Sequence, residues 1–276
     1  VHYVSPSVYA WRQGRTRRIA RSADVLLTLF PFEPPLYAKE DLRAVFVGHP
    51  LADQIDPDAV YGEMRETARA QAREVFGLAR QETALTLMPG SRMSELRSML
   101  PSFLDAANLV AQAQPDTRFL LPCATAAIEA AVREQLSAPN YAQLKVSLIR
   151  EQARVALTAS DAALIKSGTS TLEAMLLGVP MVVAYRLPRL TYEVVSRMLR
   201  TPYIALPNIL AAEALVPELL QDDMRPEALA DALLQQLEPE SRAQTQTRFA
   251  QIHAQLRCGA SDNAANEVLA LVDQNK

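Results

Sequence analysis

Short apolar runs alternate along most of the chain with longer segments whose apolar residues recur at helical spacing. Four runs bounded by polar residues read as strands buried on both faces: Thr83–Met88, Thr117–Leu121, Leu144–Ile149 and Ala162–Ile165. Helical spacing follows them in Ser94–Ala113, Thr125–Leu136, Glu151–Ala159 and Ser170–Leu177. Strands that alternate with helices predict a parallel α/β sheet covered by helices on both faces.

The same alternation appears earlier, in a shorter form. Strands are predicted at His2–Val4, Val25–Phe30 and Ala44–Val47, and a basic helix at Arg12–Arg21. Because the chain begins at Val1 in strand-like residues, we expect further sequence to precede it. The helix carries arginines that either face anionic headgroups or a phosphorylated acceptor, or simply form a solvated basic face: Arg12, Arg15, Arg17, Arg18 and Arg21.

The segment Asp53–Asp58 is rich in acids and proline, which predicts a linker before a polar helix at Tyr61–Phe76. Asp56-Pro57-Asp58 formally matches the D-x-D pattern of metal-dependent sugar-nucleotide enzymes, but in a proline-bearing linker we favour no metal site. After the sheet we predict an irregular run at 201–208 and helical segments at Leu190–Leu199, Leu215–Leu220, Pro226–Leu237, Arg242–Cys258 and Asn263–Val272.

The stretch Lys166–Pro180 lies between the apolar runs DAALI and PMVVAY, and together they predict a strand, a turn of small residues, a helix that ends at Gly178 and a second strand. Gly168, Thr169 and Ser170 allow a ligand to approach the backbone, and the first N–H groups of the helix favour an anion. Glu173 either accepts hydrogen bonds from the hydroxyls of a ribose or completes an S-x-x-E capping box with Ser170. The local sequence leaves both roles open.

A second strand, small-residue turn and helix unit begins at Thr83. Its turn, Pro89–Arg92, contains Ser91 and places Arg92 where a guanidinium can bind a phosphate bidentately, although an ordinary surface arginine fits the pattern too. In a parallel sheet ligands bind beyond the carboxyl ends of the strands. Both turns lie at such ends, so we expect them to face one crevice.

Composition and charge narrow the function classes. A net charge of −3 disfavours a general nucleic-acid binder. Cys123 and Cys258 have no spacing typical of zinc sites or disulfide frameworks, and no apolar run is long enough to span a bilayer. The absence of G-x-G-x-x-G and Walker A motifs disfavours nicotinamide, flavin and ATP sites. His2, His49 and His253 are scattered, and we expect structural roles for them.

Several strings together resemble bacterial lipid-A-disaccharide synthases. They run in order along essentially the whole chain: VHYVSPSVYAWRQGR at the start, LFPFE at 29–33, FVGHPLAD at 46–53, MPGSR at 88–92, SGTSTLEAML at 167–176, PMVVAYR at 180–186 and TPYIALPNILA at 201–211. SGTSTLE alone is typical of the wider GT-B group of sugar-nucleotide enzymes. This resemblance implies an α/β fold of the GT-B type.

The resemblance implies three regions: residues 1–55 as the end of an acceptor-binding Rossmann-like domain, 56–238 as a UDP-sugar-binding Rossmann-like domain, and 239–276 as helices packing across domains or subunits. It also implies UDP-binding roles for Ser91, Arg92, Gly168, Thr169, Ser170, Glu173 and Asn208. No metal or cofactor is implied. The catalytic base is expected upstream of Val1, so this chain alone would be inactive.

The implied reaction transfers 2,3-diacylglucosamine from UDP to 2,3-diacylglucosamine 1-phosphate (lipid X), with inversion. Its implied setting is the cytoplasm, peripherally on the inner membrane, with a homodimer as a candidate assembly. Two departures from the family pattern stand out: Ala211-Ala212-Glu213 replaces AGR, and Lys166, either a surface lysine, which we favour, or a cation beside the turn, replaces Ala. Two alternatives are a UDP-N-acetylglucosamine 2-epimerase-like enzyme and a non-catalytic UDP-binding module.

Overall fold

The structure is a computed structural model and describes residues 1–6, 14–187 and 202–274. The chain divides into two compact units. One contains Val1–Asp56 and the chain from Ala250 onward, and the other contains Pro57–Leu187 and Ala205–Phe249. We describe each unit by itself.

A three-stranded parallel sheet forms the centre of the first unit. Its strands lie in the order β1 (His2–Tyr3), β2 (Val25–Thr28) and β3 (Arg43–Phe46). All four residues of β2 are buried, because it is the central strand. Helices of this unit are Gly14–Ala20, Pro50–Gln54 and Ala260–Gln274, together with the 3₁₀ turn Pro34–Tyr37.

A six-stranded sheet forms the centre of the second unit, and every neighbouring pair is parallel. The strands are β4 (Ala84–Met88), β5 (Arg118–Cys123), β6 (Val146–Arg150), β7 (Ala162–Lys166), β8 (Met181–Tyr185) and β9 (Glu218–Leu220). Their order is β6-β5-β4-β7-β8-β9. The chain therefore builds one half of the sheet outward from β4 and the other outward from β7, so the topology reverses between these two strands.

Helices precede, connect and follow these strands. Their bounds are Pro57–Tyr61, Arg65–Val75, Met93–Ala113, Ala126–Leu136, Ala153–Ala159, Ser170–Leu176, Leu206–Ala211, Pro226–Leu237 and Pro239–Leu256, the last of which crosses from the second unit into the first. The α/β, GT-B-type fold with parallel sheets is thus confirmed.

The main core lies on one face of the six-stranded sheet. Leu85 and Leu164 from neighbouring strands are fully buried there against Phe103 of the long helix and Leu233 of Pro226–Leu237. A smaller cluster around Leu120 and Ala156 covers the opposite face. Helices on both faces explain why these strands are continuously apolar rather than alternating.

Several predicted elements need correction. Leu215–Leu220 is not helical: Glu218–Leu220 is an edge strand, because Pro217 disfavours helical backbone at Val216. The predicted linker Asp53–Asp58 instead contains the end of one helix and the start of another, each with proline in its first turn.

Three further boundaries differ from the predictions or lie beyond reach. The helix predicted over Tyr61–Phe76 is two helices, Pro57–Tyr61 and Arg65–Val75. The end of the run predicted as irregular begins a helix, Leu206–Ala211. The helix predicted at Leu190–Leu199 lies outside the described residues, as do Arg12 and the side chain of Arg15.

Candidate functional site

A cavity of about 640 Å³ opens at the carboxyl edge of the six-stranded sheet. Met88, Cys123 and Lys166, the last residues of β4, β5 and β7, all line it. It therefore lies beside the reversal between β4 and β7, where ligands of open α/β sheets bind. Ser91 and Arg92 line it together with Gly168, Thr169, Ser170 and Glu173, so the two turns predicted to face one crevice do so.

The turn after β7 presents backbone donors. The Thr171 and Leu172 N–H groups already donate to the carbonyls of Gly168 and Thr169, and the Thr171 hydroxyl donates to the Gly168 carbonyl at 2.7 Å. Within the described residues, the hydrogen bonds leave the N–H groups of Gly168, Thr169 and Ser170 available. The N–H groups that could bind an anion are therefore those of Gly168 to Ser170. The next two, Thr171 and Leu172, are already used within the turn.

The two glycines of the turns differ in what they require. Gly90 has φ +137°, and a Cβ there would lie 2.7 Å from the Cβ of Glu95. Gly168 has no such constraint, since the nearest atom to a Cβ added there would be the Lys166 carbonyl oxygen at 3.9 Å. The fold itself therefore demands glycine at position 90 and leaves free space beside position 168.

Glu95 collects the donors of the Pro89–Arg92 side of the cavity. Its carboxylate accepts hydrogen bonds from the Ser91 N–H at 3.2 Å, the Arg92 guanidinium at 3.0 Å and the Lys166 ammonium at 3.2 Å. Burial alone would raise the pKa of Glu95, but Lys166, the Ser91 N–H and Arg92 together lower it. Glu95 is therefore an anion held in a cluster of anion-binding groups.

Lys166 is not the surface lysine that the sequence suggested. Its side chain is 17% exposed, pairs with Glu95 and lies 5.1 Å from the centroid of the Tyr185 ring. The ring and the carboxylate together fix the ammonium at the cavity wall. The positive charge thus faces the cavity rather than bulk solvent.

Glu173 does not complete the predicted capping box. Thr169, not Ser170, is the N-cap, and the Glu173 carboxylate accepts from Arg154 Nε at 3.0 Å in the part of the chain that the structure describes. Arg154 follows β6 and lines the same cavity. The carboxylate is thus held at the cavity wall by an ion pair between partly exposed side chains, which is a weak restraint.

Cys123 lines the cavity and carries a thiol, a side chain that can act as a nucleophile. Burial, followed by the charge of Glu129, raises the pKa of its thiol to about 11. The thiol therefore stays protonated at neutral pH and is not activated for attack. No group of three or more acidic, histidine or cysteine side chains in the described ranges could hold a metal ion.

The chain matches a known protein family along nearly its whole length. The family model for lipid-A-disaccharide synthetase matches residues 1–271. The chain belongs to this family. Curated lipid-A-disaccharide synthases from Pseudomonas savastanoi pv. phaseolicola and Xanthomonas campestris pv. campestris are 48% and 46% identical over 275 and 279 residues. These matches cover 100% of this chain, and 69% and 62% of those relatives, so the relatives are longer.

Solved structures share the fold of this synthetase family member at low sequence identity. A glycosyltransferase from Rickettsia africae aligns with a TM-score of 0.59 at 11% identity, covering 99% of this chain and 69% of its own. WaaG, a glycosyltransferase involved in lipopolysaccharide biosynthesis, gives 0.57 at 16% identity, covering 87% and 61%. Acinetobacter baumannii MurG gives 0.53 at 16%, covering 92% and 62%.

One residue expected to bind UDP lies outside the lining of the cavity. Asn208 is 1% exposed and is not among the cavity-lining residues; its amide donates to the Val216 carbonyl and Glu218 and accepts from the Val216 N–H. It joins the helix Leu206–Ala211 to the edge strand β9. Glu213, which stands where the family resemblance implies arginine, pairs with Arg248 at 2.8 Å.

The sequence pattern did not identify Glu95 and Arg154 as residues of the cavity. Both lie in the first turn of a helix that follows a sheet strand. The rule that ligands bind at the carboxyl ends of strands applied to them as well, but it was used only at the two turns of small residues. Inspecting every strand-to-helix junction for charged side chains would have found them.

The three histidines of the chain are not among the residues that line the cavity. The Leu51 N–H donates to His49 Nδ1 at 3.1 Å, which caps the helix Pro50–Gln54. His253 is buried, with Nε2 2.9 Å from the Ala52 carbonyl oxygen, and His2 is exposed. Burial lowers the pKa of both His49 and His253, which keeps them neutral at pH 7.

The surface of the first unit offers cations but no spanning helix. Arg17, Arg18 and Arg21 are exposed on or beside the helix Gly14–Ala20, and Arg17 lies 3.8 Å from Glu40. Among the described residues, no helix combines the length and hydropathy needed to cross a membrane. Whether these arginines contact headgroups or only solvent stays a prediction.

Proposed function

We propose that the chain is the UDP-sugar-binding part of a glycosyltransferase that makes the lipid A disaccharide. In the proposed reaction 2,3-diacylglucosamine leaves UDP and joins 2,3-diacylglucosamine 1-phosphate, with inversion at the anomeric carbon. The observation that carries the proposal is the cavity at the β4 and β7 strand ends, where three cations and three carboxylates meet open backbone donors. Family membership supports a sugar-nucleotide donor.

The diphosphate fits the middle of this cavity. Arg92 and Lys166 supply positive charge from one side, and the N–H groups of Gly168, Thr169 and Ser170 supply hydrogen bonds from the other. When the sugar leaves, negative charge develops on the diphosphate. Donors that are already fixed stabilise this charge without reorganisation, which is the electrostatic part of catalysis.

The ribose fits beside Glu173. In the ligand-free protein the Glu173 carboxylate has Arg154 as its partner, and this pair is partly exposed. Two vicinal hydroxyls can donate to that carboxylate while Arg154 turns toward a phosphate. We keep Asn208 as a nucleotide-side residue only in the sense that its hydrogen bonds position Leu206–Ala211.

The remaining parts of the proposal concern the acceptor and the setting. Residues 1–55 are proposed as the end of the acceptor-binding domain and 239–276 as helices that serve more than one domain or subunit. Acylated substrates support a reaction at the inner membrane, with the protein attached peripherally on the cytoplasmic side. A homodimer is the candidate assembly.

Calorimetric titration with UDP tests the binding step. Replacing Arg92 with alanine should weaken UDP about tenfold, the range of a charged hydrogen bond, and should change uridine binding much less. Arg97→Ala is the matched control, since Arg97 is exposed on the same helix and does not line the cavity. An equal loss for UDP and uridine would exclude the phosphate role, and no UDP binding by the unaltered chain would overturn the site.

A further inference from the structure

A second cavity, of about 580 Å³, lies at the opposite edge of the six-stranded sheet. It is bounded by the helix Arg65–Val75 and by Arg242. Its floor is at the amino ends of the strands, because Asp161, beside the cavity, precedes β7 and accepts from the Ala84 N–H that begins β4. We call it the arginine cavity, because five arginines line it: Arg65, Arg69, Arg73, Arg80 and Arg242.

Positive charge exceeds negative charge in the arginine cavity. Asp161 Oδ1 lies 2.7 Å from Arg69 Nη2 and 2.8 Å from Arg242 Nη2, and Asp161 Oδ2 lies 3.6 Å from Arg73 Nη1. One carboxylate thus faces three guanidinium groups. The lining also has two glutamates, Glu66 and Glu74, both exposed, which leaves the group of seven lining charges positive.

Arg73 shows how strongly these charges are confined. Its side chain is 3% exposed and donates to the carbonyls of Ala159, Ala79 and Glu82, while its Nε is buried with no hydrogen-bond partner in the described part of the chain. Burial and the charge of Arg69 lower the pKa of Arg73. Burial also lowers the pKa of Arg242, with contributions from Arg69 and Arg65.

The Asp161 cluster alone does not account for the cavity's composition. Arg69, Arg73 and Arg242 hold Asp161 and tie together three elements, which is a structural role. Arg65 and Arg80 have no part in it. Over the described ranges Arg65 has no ion pair, and Arg80 reaches only Glu66, at 3.6 Å between two exposed side chains. Such a pair contributes little.

We propose that the arginine cavity is a second anion site that binds a phosphate group, separate from the cavity at the carboxyl edge. Guanidinium groups present paired N–H donors that match phosphate oxygens, and a dianion offsets the excess of positive charge. The phosphate belongs either to a small soluble phosphate compound or to an anionic lipid headgroup. This inference does not depend on the proposed glycosyltransferase reaction.

The test uses the full chain carrying Arg92→Ala, which weakens anion binding at the other cavity. Inorganic phosphate and pyrophosphate are titrated by calorimetry into this protein, into its Arg65→Gln derivative and into its Arg225→Gln derivative. Arg225 is an exposed arginine that lines neither cavity. We expect Arg65→Gln to weaken phosphate binding about tenfold and Arg225→Gln to leave it unchanged.

A vesicle arm separates the two sources of phosphate. The same three proteins are sedimented with phosphatidylcholine vesicles that contain or lack phosphatidylglycerol. Binding of soluble phosphate that depends on Arg65 identifies a soluble ligand, and Arg65-dependent binding confined to the anionic vesicles identifies a headgroup. If neither probe binds, or if the Arg65 and Arg225 derivatives behave alike in both arms, the arginine cavity is not an anion site.

Discussion

At the scale of single residues, the carboxyl-edge cavity is a set of charges already satisfied by one another. Glu95 forms ion pairs with Arg92 and Lys166 and accepts a hydrogen bond from the Ser91 N–H. Glu173 forms an ion pair with Arg154. Under the proposed function, an arriving diphosphate would have to compete with these carboxylates, which would moderate affinity and favour release of the product. The two carboxylates differ, since Glu95 has three donors and Glu173 one.

Glu173→Gln separates the ribose role of Glu173 from a role in stability. We expect UDP affinity to fall about tenfold, because a charged acceptor for two hydroxyls is lost. The free energy of unfolding should change by less than about 1 kcal/mol, since the pair with Arg154 is partly exposed. Calorimetry and urea denaturation measure the two quantities.

Glu151→Gln is the control for this prediction, as Glu151 also lines the cavity and is exposed. It should leave UDP affinity nearly unchanged. Loss of stability in Glu173→Gln with unchanged UDP affinity would show that the pair with Arg154 is structural and would remove Glu173 from the site.

Gly168→Ala tests whether a ligand approaches the backbone at that turn. The added methyl group has room in the protein itself, so stability should stay equal or rise by about 0.5 kcal/mol. UDP binding should weaken, because the methyl group occupies ligand space. Gly90→Ala is the contrasting variant and should lower stability by more than about 1 kcal/mol, given its φ of +137° and the contact with Glu95. Undiminished UDP affinity in Gly168→Ala would show that the ligand passes elsewhere.

At the scale of elements, the helix Leu206–Ala211 ends in an unusual way. Ala212, its C-cap, has φ +55° and ψ +26°, the left-handed conformation in which glycine is favoured. The family resemblance implies glycine at this position, within the string AGR. With alanine here, the left-handed backbone carries a conformational cost of about 1 kcal/mol.

Ala212→Gly should therefore raise the free energy of unfolding by about 1 kcal/mol. Ala211→Gly, one residue earlier and inside the helix, should lower it by about the same amount, because glycine is a poor helix former. Thermal and urea unfolding measure both. Destabilisation by both substitutions alike would show that the left-handed conformation at position 212 does not limit stability.

The elements also show what the sequence could predict. Strands β4, β5, β7 and β8 were evident because parallel strands covered on both faces are continuously apolar. The edge strand Glu218–Leu220 was predicted as helix, because a three-residue edge strand has too short a pattern to outweigh nearby leucines. Neither the Lys166 pair with Glu95 nor the Arg154 pair with Glu173 could be predicted, since each joins residues 71 or 19 positions apart.

At the scale of the whole molecule, the two units have separate interiors. Leu26 and Tyr37 pack in the first unit and Phe103 and Leu233 in the second, and each cluster lies within a single unit. The described cavities both belong to the second unit. Titration of the first unit can therefore be studied without changing a residue of either cavity.

The first unit contains a carboxyl group whose titration opposes folding. Glu33 is 3% exposed and accepts from the Leu29 and Phe30 N–H groups, each at 3.0 Å. Burial outweighs these hydrogen bonds and raises the pKa of Glu33 to about 7, from an ordinary value of 4.5. Between these two values the folded protein binds more protons than the unfolded chain.

Stability should therefore be greatest below pH 4.5 as far as Glu33 is concerned, and this contribution should be lost as pH rises through 7. Glu33→Gln should remove up to about 3 kcal/mol of that dependence. Urea denaturation of both proteins from pH 4 to 8, followed by circular dichroism, measures it. His49 and His253 titrate in the opposite sense but equally in both proteins, so they cancel in the difference. Parallel curves for the two proteins would show that Glu33 titrates near its ordinary pKa.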